Sequence, residues 1–336
     1  MNMGFNVCVA GATGKVGRTM IKILEERNFP VDRIRFLASS RSVGKKLPFR
    51  GADIEVEELS QDSFEKGELI LSSPGGSVSK WYAPSAARAG ALVIDNTSAF
   101  RMDRDVPLIV PEVNPLEAFK HKGIIANPNC STIQMVVVLK PLHDAVTVKR
   151  VVVSTYQAVS GAGMLAIREL EESSRAILDG KPFEPSVFPH RIAFNCIPQI
   201  PQKKAFGDNY YSEEEMKMVN ETRKIMMDSS IAITATTVRV PVFVGHSESV
   251  NVEMGRKLTR TEAINILKNA PGVVVLDDPQ SGLYPLAIDA EGKNETFVGR
   301  IREDISHPSA LDMWIVSDNL RKGAAYNAVQ IAELFL

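Results

Sequence analysis

Cys130 stands between the polar turn Asn127–Asn129 and a long apolar run, in the string NPNCSTIQMVVVLKPL. That pattern predicts a cysteine at the start of a helix, where unpaired backbone donors and the positive end of the helix dipole favour thiolate. A thiolate in this position can attack an activated carbonyl and hold the acyl group. It needs a proton partner, and the chain offers His121, His143, His190, His246 and His307. His246, in VGHSES beside a flexible glycine, is best placed to take the thiol proton, and His190, in SVFPHRIAF, is its rival. His307 precedes a proline and reads as a turn residue; His121 and His143 read as surface or interface residues. No histidine pairs with a second histidine or a carboxylate at metal-ligand spacing, so no metal site is expected. Cys8 lies in an apolar strand and reads as core, and Cys196, in FNCIPQIP, reads as structural.

Acyl chemistry at a thiol also needs groups that hold oxygen and charge. Gln157 falls at a strand end, where its amide can donate to a thioester oxygen. Arg101 follows the run ALVIDNTSAF, near the carboxyl end of a strand, and its guanidinium suits a phosphate or carboxylate. Glu214 and Lys217 are three residues apart on one helix face. They read either as a surface ion pair or as readers of the two charges of an amino-acid substrate. Arg239 precedes His246 by seven residues, and one β-turn between two strands would bring both to the same mouth.

A second set of residues speaks for a dinucleotide. GATGKVG comprises Gly11, Ala12, Thr13, Gly14, Lys15, Val16 and Gly17, at the junction of a strand and a helix. Gly11 permits a tight turn, Gly14 lets backbone approach a pyrophosphate, and Gly17 permits close helix packing. The helix start then faces the phosphates. No GKS or GKT ending follows, which disfavours a triphosphatase loop. The second strand ends in Ser39, Ser40 and Arg41 instead of an acidic residue; hydroxyls and a cation suit a 2′-phosphate, so NADPH is expected. Further cofactor contacts are expected from Ser73 and Gly75 after the first sheet's GELILSS strand, and from Ser160, Gly161 and Gly163 in SGAG. Asn319, with Asp318, is expected near the crevice.

The elements that must position these groups follow from hydrophobic period. Strand, glycine turn and helix alternate from Phe5 to Phe100, the rhythm of a parallel sheet with crossovers. RVVVSTY opens a second sheet; helices are expected over Met164–Leu178 and SEEEMKMVNETRKIMM, and a Pro-rich, aromatic-rich loop over 181–206. IAITATTVRVPVFVGHSESVNVEM reads as two antiparallel strands joined near Gly245. The tail, 318–336, reads as one amphipathic helix whose apolar face can close over the first sheet. The expected division is 1–128, 129–317 and 318–336. With 336 residues, 44% of them apolar, the chain can fill two cores. Its 39 basic and 40 acidic residues carry no basic stripe for nucleic acid. The first residues hold no cationic leader, and no apolar run is long enough to cross a membrane. Three widely spaced cysteines suit a reducing compartment.

The segments GATGKVG, DNTSAFR, NPNCST, YQAVSGAG, YSEEEMK, RVPVFVGHSESV and DNLRKGAAYNAVQIAE run in order along nearly the whole chain. On these, the chain closely resembles the bacterial-type aspartate-β-semialdehyde dehydrogenases. The resemblance implies an α/β fold: an N-terminal Rossmann-like dinucleotide-binding domain, an α+β catalytic and dimerisation domain, and a C-terminal helix returning to the first domain. It implies a cytoplasmic homodimer in which NADPH reduces L-aspartyl 4-phosphate to L-aspartate 4-semialdehyde through a cysteine thioester, releasing inorganic phosphate. That step leads toward lysine or diaminopimelate, methionine, threonine and isoleucine. By the same resemblance Cys130 is the nucleophile, His246 the acid/base and Gln157 the orienting amide. Arg101 and Lys217, with Asn129 beside them, hold phosphate; Arg239 meets the substrate α-carboxylate and Glu214 its ammonium. N-acetyl-glutamyl-phosphate reductases share the cysteine logic but have less need of a Glu214 partner. Glyceraldehyde-phosphate dehydrogenases typically carry SCTTN where this chain has NCSTI. A cysteine hydrolase has no use for the glycine turn; the alternative of another class is a non-catalytic NADPH-binding sensor or scaffold, which NADPH binding without thiol-dependent turnover would support.

Overall fold

A computed structural model describes residues 4–203 and 205–336; Met1–Met3 and Lys204, the latter inside the loop expected over 181–206, lie outside the described residues. The chain divides into two compact units, 1–129 with 324–336, and 130–323. Residues 318–323, grouped with the tail in the sequence reading, fall in the second unit.

The first unit is built on seven strands: β1 (Phe5–Ala10), β2 (Val31–Ala38), β3 (Lys46–Phe49), β4 (Ala52–Glu58), β5 (Leu69–Ser72), β6 (Leu92–Asp95) and β7 (Ile124–Ala126). Their order is β3-β4-β2-β1-β5-β6-β7, and all neighbours run parallel except β3 against β4. The sequence reading passes over the hairpin β3–β4, whose turn uses positive φ at Arg50 and Gly51. Alternate residues of β1 serve different cores. Val7 and Val9 pack with Met20, Ile23 and Leu24 of helix α1 (Lys15–Glu26). Cys8 packs with Tyr82 and Ala86 of helix α2 (Gly76–Arg88). Both faces are covered, which is why β1 and β5 are almost wholly apolar. The C-terminal helix, Tyr326–Glu333, completes the α1 side with Ala328, Val329, Ile331 and Ala332. Only this part of the expected tail helix is α-helical; Arg321–Ala325 forms a π-type turn. Asp318 starts that turn by accepting the Leu320 and Arg321 amides at 2.8 and 3.0 Å.

The second unit holds a six-stranded sheet: β8 (Val148–Gln157), β9 (Ala232–Arg239), β10 (His246–Met254), β11 (Val273–Val275), β12 (Thr296–Glu303) and β13 (Ala310–Ser317). Its order is β11-β12-β13-β10-β8-β9. The expected β9–β10 hairpin is therefore corrected: β8 lies between them, parallel to β9 and antiparallel to β10. The link 240–245 steps over β8 instead of forming a tight turn. Helices α3 (Cys130–Val146), α5 (Glu213–Met226) and α6 (Arg260–Lys268) cover one face of the sheet; α4 (Met164–Leu178) follows β8 and α7 (Ala287–Ala290) precedes β12. On the opposite face Tyr156 and Trp314 touch, ring centroids 5.3 Å apart, and both carry exposed or half-exposed surface. No helix among the described residues is long and apolar enough to cross a membrane.

Candidate active site

Strand register in the second unit gathers the chemistry at one end of the sheet. Gln157 ends β8 opposite Arg239, which ends β9, while His246 opens β10 opposite Ser317 of β13. Side chains alternate along each strand, and buried His246, Gln157 and Arg239 share the helix-covered face. Helix α3 begins at Cys130, as its sequence predicts, with the residue partly exposed.

Each side chain is held by named partners. The Thr155 hydroxyl donates to Gln157 Oε1 at 3.0 Å, so the amide nitrogen turns outward and donates to Glu214 Oε1 at 3.1 Å. Glu214 is buried in the first turn of α5, and Lys217 reaches it at 3.4 Å and Glu213 at 2.8 Å. Arg239 donates from Nη1 to the Ala158 carbonyl at 2.6 Å, while its buried Nε meets no hydrogen-bond partner among the described residues. Burial pulls the Arg239 pKa down, and the charges of Glu214 and Cys130 pull it back up. The Ala158 amide donates to His246 Nδ1 at 3.1 Å. Burial, then the Arg239 charge, press the His246 pKa down to about 3 against the opposing pull of Glu214. Gly161 lies against both: a Cβ there would stand 3.1 Å from Arg239 Nη1 and 3.3 Å from His246 Nε2. Asn319 ties the surrounding loops together, accepting from the Gly245 amide at 2.9 Å and donating to the Ser160 hydroxyl at 3.0 Å. Gly163 takes φ +92 and leads into α4.

Three residues here escape the sequence reading. Thr155 and Ala158 act through bonds between neighbours in space, for which the sequence carries no signal. Gly323 carries one: it interrupts an otherwise helical run, a common mark of close packing. A Cβ at Gly323 would stand 2.8 Å from that of Cys130. Of the rival groups, His190 is exposed, and Cys196, read as structural, is also exposed and so contributes no core packing. Cys8 is buried, and burial pushes its thiol pKa well up.

In the first unit the strand order reverses about β1, and ligands of such sheets bind beyond the carboxyl ends at that point. A cavity of about 500 Å³ opens there, lined by Gly11, Thr13, Gly14, Ser39, Ser40, Arg41, Ser73 and Trp81 among others. Gly11 takes φ +80, and any Cβ at Gly17 would meet the Gly11 carbonyl at 2.3 Å. No side chain caps α1 and no acidic residue sits in its first turn, so its positive end stays available to an anion. Gly75, at φ +101, opens α2 with free space beside it. These features fit a dinucleotide. Ala12 is buried beneath the turn, and Lys15 and Val16 begin α1. Arg101 is buried, donating to the carbonyls of Asn127 at 2.9 Å and Asn96 at 3.0 Å. Asn127 also donates to Asn96 Oδ1 at 2.6 Å and accepts from Asn327 of the C-terminal helix at 2.7 Å. Asn129 is buried at the end of this unit.

A dinucleotide cleft on one sheet, and a thiol, imidazole, amide and guanidinium carried by the second unit, are the parts of a dehydrogenase. Residues 6–121 match the family model "Semialdehyde dehydrogenase, NAD binding domain", and residues 139–322 match "Semialdehyde dehydrogenase, dimerisation domain". The chain is 56% identical to aspartate-semialdehyde dehydrogenase of Aquifex aeolicus (strain VF5), over 99% of this chain and 98% of that one. It superimposes with TM-score 0.94 on aspartate semialdehyde dehydrogenase II of Vibrio cholerae, complexed with ASA, at 49% identity over 99% and 98% of the two chains. The Candida albicans enzyme, solved with NADP, gives TM-score 0.75 at 26% identity, over 99% and 98%. The chain belongs to the aspartate-semialdehyde dehydrogenase family.

Proposed function

We propose that this protein is an NADP-dependent, phosphorylating aspartate-semialdehyde dehydrogenase, converting L-aspartyl 4-phosphate to L-aspartate 4-semialdehyde and inorganic phosphate in the cytoplasm. The observation that carries this reading is the link from Gln157 to Glu214 beside buried Arg239. It puts an amide donor for an acyl oxygen next to one carboxylate and one guanidinium, the pair that reads an amino acid's ammonium and carboxylate. An N-acylated substrate lacks that ammonium and offers Glu214 no charge beyond the Lys217 and Gln157 contacts it already has.

Cys130 attacks the phosphorylated carbonyl and carries the acyl group as a thioester. Gln157 orients the acyl oxygen, Arg239 holds the α-carboxylate and Glu214 the ammonium. Arg101, Asn129 and Lys217 supply donors for phosphate. NADPH, held by residues 11–17, Ser39, Ser40, Arg41, Ser73, Gly75 and the loop carrying Ser160, Gly161 and Gly163, supplies hydride; Asn319 positions that loop. The open face of the second sheet, with Tyr156 and Trp314, suits a second copy of the chain in a homodimer.

The assay is phosphate-dependent reduction of NADP by L-aspartate semialdehyde, followed at the nicotinamide absorbance. Turnover should need phosphate and disappear in Cys130→Ala. Preference for the N-acetyl-glutamate semialdehyde would overturn the substrate assignment.

A further inference from the structure

We propose that Trp81 is the platform on which the adenine ring of NADP stacks, so that an indole from helix α2 binds the base end of the cofactor. The inference rests on the cofactor reading above and adds to it a residue that the glycine turn does not contain.

Trp81 is 49% exposed, although a side chain of this size and character gains much from burial. Helix α2 turns Ser79, Tyr82, Ala83 and Ala86 to the core, and Trp81 falls outside that stripe. Among the described residues its indole stacks on no other ring and on no cation. Its backbone, by contrast, is fixed. Gln61, in the loop after β4, donates from Nε2 to the Trp81 carbonyl at 2.7 Å. The next residue, Tyr82, stacks on Phe64 of the same loop, ring centroids 5.1 Å apart. A side chain held at its root and open at its ring is a preformed surface for a flat ligand.

That surface lines the cavity of about 500 Å³ at the carboxyl ends of the first sheet. Val78, one turn earlier on α2, and Leu59, just past β4, line it too. Leu59 is fixed to the end of β2, its amide donating to the Ala38 carbonyl at 2.8 Å. Leu59, Val78 and Trp81 therefore supply apolar wall, while Gly11, Thr13 and Gly14 lie where the start of α1 offers donors. Phosphates need the donors, and a heteroaromatic base needs the wall.

Strand order decides which of the two bases reaches it. The glycine turn follows β1, and Ser39, Ser40 and Arg41 at the end of β2 suit the 2′-phosphate of the adenosine ribose. Strand β4, with Leu59 at its end, lies beyond β2 on the side away from β5. The base carried by that ribose is adenine, so adenine and not nicotinamide meets the wall. Glu58 also lines the cavity, opposite Ala38 in the β2–β4 register, and its carboxylate is an acceptor. Adenine brings a donor in its exocyclic amino group. Stacking acts on the base and ignores the 2′-phosphate, so Trp81 adds affinity for NADP and NAD alike and leaves the choice between them to Ser39, Ser40 and Arg41.

The test uses the full-length protein and adenosine 2′,5′-bisphosphate, which carries the adenine and the 2′-phosphate and lacks nicotinamide. Trp81 and Trp314 are the only tryptophans of the chain. The bisphosphate should quench part of the wild-type tryptophan fluorescence, and Trp81→Phe, in which Trp314 alone emits, should show no quenching. Calorimetry supplies the Kd values. Trp81→Ala should raise Kd for the bisphosphate, NADP and NAD by a common factor of about tenfold, the size of one base–aromatic stack. Trp81→Phe should stay within about threefold of wild type, because a ring remains. Undiminished quenching in Trp81→Phe, no quenching of the wild type at saturation, or unchanged Kd values in Trp81→Ala would overturn the proposal. A Trp81→Ala loss confined to the two ligands with a 2′-phosphate, sparing NAD, would overturn it as well. Failure of the cofactor reading shows separately, as wild-type calorimetry with no binding of NADP.

Discussion

Gln157 can aim its amide in two ways that differ by a half-turn about the last side-chain bond, and the Thr155 hydroxyl selects one of them. Thr155→Val keeps the shape and removes that choice. Its kcat should fall about tenfold, the kinetic equivalent of one hydrogen bond of about 1.4 kcal/mol, with a smaller effect on KM. Thr155→Ser should recover most of the loss; equal kcat for the valine and wild-type enzymes would show that the amide is oriented otherwise. Gly323→Ala tests a different contact. Its new methyl would meet Cys130 Cβ at 2.8 Å, so the thiol must shift. Misplacement of a nucleophile by an ångström costs about 100-fold in rate, and the same variant should label more slowly at Cys130 with iodoacetamide. The cysteine, the glutamine and Arg239 are legible from residue type and strand-end position. Thr155 and the Ala158 amide are not, because their roles depend on which atom of a neighbour they touch.

Glu215 joins two elements. Its Oε2 accepts from the Ser212 amide at 2.7 Å, and the Ser212 hydroxyl accepts from the Glu215 amide, a reciprocal cap at the start of α5. Its Oε1 accepts from the Thr237 amide of β9 at 2.9 Å. Strand β9 is the edge of its sheet, so this amide has no strand partner on that side. One carboxylate therefore sets both the first turn of α5, with Glu214, and the strand that carries Arg239. Glu215→Ala should destabilise the protein by about 1–3 kcal/mol in urea unfolding. It should raise KM for the semialdehyde more than it lowers kcat, since Glu214 and Arg239, the proposed charge readers, move relative to each other. The serine–glutamate spacing of that cap is visible in SEEE, whereas the third bond to β9 is not. The same distinction explains the β9–β10 correction. Alternation shows that each segment is a strand with one buried face, yet it cannot name the neighbour, and β8, far upstream, occupies the place between them. Local glycine chemistry, by contrast, reads well, and the turn after β1 has the conformation its sequence requires.

At the scale of the molecule, two buried groups set opposite limits on stability. His246 is held near pKa 3 in the folded chain and returns to about 6.5 when unfolded, so between these values the unfolded state binds more protons. The stability it contributes is full above about pH 6.5 and is lost as pH falls toward 3. The Glu248 pKa is raised by burial, and neither of its oxygens meets a hydrogen-bond partner among the described residues, although Gln134 lies close enough to ease the penalty. Its contribution is present below the unfolded carboxylate range and is lost as pH rises through the folded pKa. Glu248→Gln should therefore raise the urea midpoint most at about pH 8.5 and least at about pH 5.5. A uniform gain across pH would mean that the carboxyl does not titrate with unfolding.

The first unit is discontinuous, its sheet finished by a helix from the far end of the chain. During synthesis Val7, Val9 and the apolar side of α1 emerge early, yet Ala328, Val329 and Ile331 are the last of their neighbours to leave the ribosome. The nascent cofactor-binding unit must therefore wait, one flank bare, while the whole second unit is made and can fold. A chain broken off before Tyr326 would keep the second unit and leave a sticky, half-clad nucleotide fold, a natural client for chaperones and proteases.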